Sequence, residues 1–86
     1  MRVLVPSPLR SYTGGRSEVE GAGVSLADLL AHLEARHPGI RFRMIDEQDR
    51  IRRHIKIFVN DHDVSDLSPA LAAGDEVTII CALSGG

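Results

Sequence analysis

One stretch of this chain carries a clear helical period, and it limits the fold more than any other feature. Leu26, Leu29, Leu30 and Leu33 recur at three- and four-residue spacing, so they share one face of a helix. Ser25 is a good N-cap, and Asp28 stands three residues on, where an acidic side chain meets the positive helix end. Pro38-Gly39 stops the run, which predicts a helix from about Leu26 to Arg36. An apolar stripe of this kind is core, and it needs a second layer to cover it.

Strands supply that layer. Arg2 to Pro6 reads as a strand, with Val3 and Val5 on one face and Leu4 on the other. Pro6 and Pro8 break it, Ser7 to Tyr12 is a connection, and Thr13-Gly14-Gly15 is a turn signal. Arg16 to Gly21 is a weaker, polar strand suited to a sheet edge. His54 to Asn60 is the clearest strand, with Ile55, Ile57 and Val59 opposite Lys56, Phe58 and Asn60. Asp63-Val64 reads as a short return strand after an Asn60-Asp61 turn. Ser68 to Leu71 is expected to form a helical turn, and Ala73-Gly74-Asp75 a turn that launches the last strand, Glu76 to Ala82. Ile40 to Arg53 is ambiguous: Ile40, Phe42 and Met44 alternate, yet a second short helix fits as well. Two strands, a helix and three more strands make an α+β fold, a ubiquitin-like β-grasp: a mixed sheet with one main helix on one face.

Length and composition exclude several classes. Eighty-six residues hold one domain with one core. A net charge of −2 sets up no global field for nucleic acid or anionic lipid. The arginine cluster at positions 41, 43, 50, 52 and 53 is interleaved with Asp46, Glu47 and Asp49, and reads as a self-neutralising loop. One cysteine excludes an intrachain disulfide and an all-cysteine metal site. The N-terminal apolar run is too short for a signal peptide and no run approaches a membrane span, so a cytoplasmic protein without nucleic-acid or membrane partners is expected. His32, His37, His54 and His62 lack metal-ligand spacing, and Asp61-His62-Asp63 sits in an expected turn.

The C-terminus is the remaining chemical feature. The last strand feeds Leu83-Ser84-Gly85-Gly86. Glycines without a Cβ pass through a narrow channel where a side chain would collide. Three extended residues reach about 10 Å. The group delivered is the Gly86 α-carboxylate, which reacts only after activation. The bland alternative is a frayed terminus.

With these pieces in place the sequence resembles the ThiS/MoaD family of ubiquitin-like sulfur carriers of thiamine, molybdopterin and cysteine biosynthesis. The resemblance rests on Leu9-Arg10 with Thr13-Gly14-Gly15, on Ile57-Phe58-Val59-Asn60 with Asp63-Val64, on Gly74 to Ile79, and on Gly85-Gly86. The first of these looks most like the CysO-type branch, which carries sulfur for cysteine synthesis. Many relatives have proline where Cys81 stands, a departure that leaves a thiol close to the tail. The resemblance implies a β-grasp domain over residues 1–83 and a flexible tail over 84–86. It implies a protein substrate or carrier, or the small subunit of a synthase complex, and not an enzyme. An E1-like adenylating and sulfurtransferase enzyme would use ATP and Mg²⁺ to adenylate Gly86, and a thiocarboxylate would then pass sulfur to an accepting synthase. The carrier itself would bind no cofactor or metal. The alternatives are a ubiquitin-like modifier conjugated through Gly86 and a β-grasp binding module with an inert tail.

Parity places a partner site. The face opposite the helix is mostly polar (Arg2, Lys56, Asn60, Thr78) but includes Leu4, Phe58 and Ile80 from three strands that the β-grasp makes neighbours. This exposed cluster, with Leu83 and Ser84, is the expected docking surface, and Gly85 and Gly86 the reactive terminus. Cys81 shares a face with Val77 and Ile79 and is expected to be buried.

Overall fold

The computed structural model describes residues 1–82. The expected domain boundary at 83/84 and the tail 84–86 lie outside the described residues. The strands are β1 (Arg2–Leu4), β2 (Glu18–Glu20), β3 (Ile55–Val59), β4 (His62–Val64) and β5 (Glu76–Cys81). The α-helices are α1 (Leu26–Arg36) and α2 (Ile40–Met44), and a 3₁₀ helix spans Ser7–Thr13. The five strands form one mixed sheet in the order β2-β1-β5-β3-β4. The last strand therefore lies at the centre, parallel to β1 and antiparallel to β3. This is the expected β-grasp, with polar β2 at an edge.

Helix α1 forms where its cap, stripe and stop agree. The Ser25 hydroxyl accepts from the Asp28 N–H at 3.1 Å. Leu26, Leu29, Leu30 and Leu33 are wholly buried against the sheet residues Val3, Val19, Ile57, Val77 and Ile79 in one apolar core. Each such side chain contributes about 1.5–3 kcal/mol relative to an exposed one. Val59, expected in this set, is only half-buried.

Two local expectations change, and the open alternative at residues 40–44 resolves to the short helix. The connection after β1 is a 3₁₀ helix, because Leu9 is drawn into the core at 3% exposure. Gly14 and Gly15 end it at φ 65° and 85°, a left-handed conformation that a Cβ disfavours. The buried Thr13 hydroxyl closes this turn, lying 2.7 Å from the Arg16 carbonyl and 3.1 Å from that of Arg10. Residues 40–44 resolve as a helix, with Ile40 and Met44 one turn apart in the core and Phe42 turned outward. The Glu34 carboxylate caps it by accepting from the Gly39 and Arg41 N–H groups at 2.8 and 3.0 Å. Ser68 to Leu71 is not a helical turn. The first N–H groups of a helix have no internal acceptors. Here the Pro69 and Leu67 carbonyls accept from Leu26 and Ala27 at 2.9 and 3.1 Å, and Ala70 bridges Ser25. An extended segment can offer those carbonyls to α1, whereas a helical turn would direct them along its own axis.

Candidate functional site

The root of the C-terminal segment is built by the turn that launches β5. Asn60 takes a left-handed φ of 57° between β3 and β4, which asparagine tolerates because its short polar side chain can hydrogen-bond locally. Its amide donates to Asp75 at 3.1 Å, and its side-chain oxygen accepts from the Glu76 N–H at 3.1 Å. The Ala72 N–H, then the Asn60 amide, hold the Asp75 carboxyl below its usual range. At the far end Cys81 pairs with Ile55, and the Ala82 N–H donates to the His54 carbonyl at 2.7 Å. The strand is thus tied at both ends before the chain enters Leu83-Ser84-Gly85-Gly86. Leu83, Ser84, Gly85 and Gly86 lie outside the described residues. Cys81 is half-buried and packs against the core rather than within it.

Strand register brings the expected apolar cluster together on the face away from α1. Leu4, Thr78 and Phe58 form one row across β1, β5 and β3, and Ile80 stands opposite Lys56 one step along. Ile80 is 43% exposed, but Leu4 and Phe58 are half-buried, a correction to their expected exposure. The cause is flanking. Leu4 lies between Glu18 and Thr78, and Phe58 between Thr78 and Asp63, so neighbouring strands shade both. Ile80 lies past the end of the β1 pairing, which stops at Leu4 and Thr78. An open depression there is lined by Leu4, Pro6, Ser7, Arg10, Ile80 and Cys81. The 40–45 segment does not cover this face, since Ile40, Met44 and Ile45 join the core on the helix side.

The rim is charged. Arg2 pairs with Glu76 at 2.6 Å and approaches Glu18 at 3.7 Å, while Lys56 lies 3.7 Å from Asp63. Exposed pairs of this kind contribute at most about 1 kcal/mol each. The remaining carboxyls held below their usual range are also anchors of local structure. Backbone N–H groups of Gly39 and Arg41 act on Glu34, that of Arg50 on Asp46, and the Ser68 hydroxyl and N–H on Asp66. Among the described residues no three His, Cys, Asp or Glu side chains converge on a metal position. His32 lies on α1, His37 caps its end, and His54 and His62 are exposed on and beside the sheet. Among the described residues no helix is long and apolar enough to cross a membrane.

One surface feature was not anticipated. Phe42 is 58% exposed, and the Arg52 guanidinium carbon sits 4.5 Å from its ring centroid. Arg52 Nε donates to the Phe42 carbonyl at 2.7 Å. Elsewhere in the segment Arg41 pairs with Asp49 at 3.1 Å, and Arg50 with Asp46 at 3.7 Å and with Gln48. The loop is therefore neutralised only in part. The ten-residue spacing of Phe42 and Arg52 carries no local signal; only the fold brings them together.

Comparison with known proteins places this geometry. The ThiS family profile matches residues 3–86. The sulfur carrier protein CysO of Mycobacterium tuberculosis H37Rv is 39% identical over 89 residues, covering 98% of this chain and 96% of that one. A chain of the Amycolatopsis orientalis BexX/CysO complex superposes with a TM-score of 0.91 at 36% identity, covering 99% of this chain and 98% of that one. SAMP1, a small archaeal modifier protein of Haloferax volcanii, superposes with a TM-score of 0.78 at 28% identity, with 100% and 98% covered.

Proposed function

The chain belongs to the ThiS family, and from that footing we propose that it is a sulfur carrier whose Gly86 carboxylate becomes a thiocarboxylate. The observation that carries the reading is the extent of the family match. It runs to residue 86, so Gly85-Gly86 falls within the shared pattern. An E1-like enzyme with ATP and Mg²⁺ joins the carboxylate to AMP and releases pyrophosphate. Sulfide attacks the acyl carbon, the bond to AMP breaks, and a proton is lost to leave the thiocarboxylate. That sulfur is a nucleophile for an accepting synthase. The catalytic groups for these steps belong to the partners. The carrier contributes a glycine terminus, a central strand that aims it, and the Leu4, Phe58 and Ile80 face on which a partner docks.

The test is intact mass after incubation with the adenylating enzyme, ATP and sulfide. One oxygen-for-sulfur exchange at Gly86 is the expected result, and an unchanged mass with release of no pyrophosphate would remove the proposal. A second reading, a protein modifier joined through Gly86 to a lysine, draws on the likeness to the archaeal modifier SAMP1. Isopeptide-linked adducts in cells, without a thiocarboxylate, would favour it.

A further inference from the structure

The arginine-rich segment is a strongly charged surface that the proposed chemistry leaves unused. Residues 41–56 hold six of the ten cationic side chains and three of the twelve carboxylates, an excess of three positive charges in a chain of net charge −2. Arg41 and Arg50 are engaged by Asp49 and Asp46. Arg43 and Arg53 are exposed and have no ion-pair partner among the described residues. Arg52 is fixed over Phe42. Phe42, Arg43, Arg52 and His54 line one open depression together with Glu47, and Arg52, Arg53 and Lys56 line a neighbouring one with Asp63, which pairs with Lys56. This surface meets the root of the tail, because the His54 carbonyl holds the Ala82 N–H. It also meets the apolar face, because Lys56 is the register partner of Ile80.

We propose that this face, centred on Arg43, Arg52 and Arg53, docks a carboxylate-rich patch on a partner protein beside the entrance to the site that receives the C-terminus. The inference rests on the proposed function for where the C-terminus goes; the charge argument is independent of it. Charge complementarity at such a rim speeds and orients association more than it tightens it. Nucleic acid fits less well. One face of the Phe42 ring is already taken by Arg52, and Asp46, Glu47 and Asp49 would repel evenly spaced phosphates. A folded acidic patch can set its carboxylates opposite the arginines alone.

The test titrates the isotope-labelled chain with a short poly-L-glutamate peptide and, separately, with an oligothymidylate of equal charge. With the peptide, amide shifts are expected over residues 42–56 and at Ala82, fading at high salt as the charges are screened. They should vanish in Arg43→Glu/Arg53→Glu and persist in an Arg16→Glu/Arg36→Glu control. Shifts spread over the whole molecule, or retained in Arg43→Glu/Arg53→Glu, overturn the surface. Equal or stronger binding of oligothymidylate makes it a phosphate site and overturns the assignment to an acidic protein. In pyrophosphate exchange with the adenylating enzyme, Arg43→Glu/Arg53→Glu should raise KM about tenfold at low salt and match wild type at high salt. An unchanged KM at low salt overturns the placement at the entrance. A wild-type chain that supports no exchange refutes the proposed function, while the peptide titration still decides this surface.

Discussion

Ile57 and Phe58 are adjacent in β3 and point to opposite faces, so truncating each separates core from partner surface. Ile57 is wholly buried, in register with Ile79 on one side and Val64 on the other. Ile57→Ala removes three carbons from a filled position and should cost about 3 kcal/mol or more. In a domain of this size that lowers Tm by roughly 15 °C or more. Phe58 is half-buried, so only a minor part of its ring surface stays in water in the free protein. Phe58→Ala should cost roughly 2–3 kcal/mol, toward or below the low end of the 3–5 of a fully buried ring. Both changes place alanine in the same strand, so the loss of strand propensity nearly cancels in the comparison. Urea unfolding with a common m-value gives the stability difference, and pyrophosphate exchange with the adenylating enzyme gives the functional one. Phe58→Ala is expected to raise KM while losing less stability than Ile57→Ala. If it unfolds as readily as Ile57→Ala, Phe58 belongs to the core and the docking face lies elsewhere.

Two further outcomes follow from the same structure. Gly85→Val should leave Tm unchanged, since the last buried core residue among those described is Ile79, yet block adenylation by meeting the walls of a channel cut for glycine; a normal adenylation rate would refute the channel. The Glu34 carboxyl is held below its usual range first by the Gly39 N–H and then by that of Arg41, so the stability it adds is present above its unfolded pKa and lost as pH falls through its folded one. Glu34→Gln should therefore melt lower than wild type at neutral pH and lose less on acidification, and an equal slope of Tm against pH in the two proteins would show that the cap carries no such linkage.

Much of this fold was legible in the sequence because local and global signals agreed. Ser25, the four leucines and Pro38 define α1 without help from the rest of the chain. Alternation in β3 and β5 assigned Ile55, Ile57, Val77 and Ile79 to the core correctly. The misses arose where distant parts of the chain decide. Pro6 and Pro8 do break β1, but the need to bury Leu9 winds the following residues into a 3₁₀ helix. Residues 68–71 favour a turn locally, and the unfilled N–H groups at the start of α1 keep them extended. Parity found the face of Leu4, Phe58 and Ile80, yet their different exposures depend on where neighbouring strands stop. Of the candidate site, Gly85-Gly86 was legible only as a terminus without side chains; its proposed use depends on another protein's channel.

A terminus drawn into an enzyme is also a handle. Tension on it would arrive at β5, the middle strand, which has three register partners in β1 and five in β3. Ladder hydrogen bonds lie across the strand direction, so a pull along β5 loads both ladders in shear at once instead of opening them one bond at a time. If partners hold the domain by that terminus, as proposed, the pull is resisted by both ladders together. Release of the C-terminus is then expected to occur by the enzyme loosening its grip, with the carrier returning folded for another round.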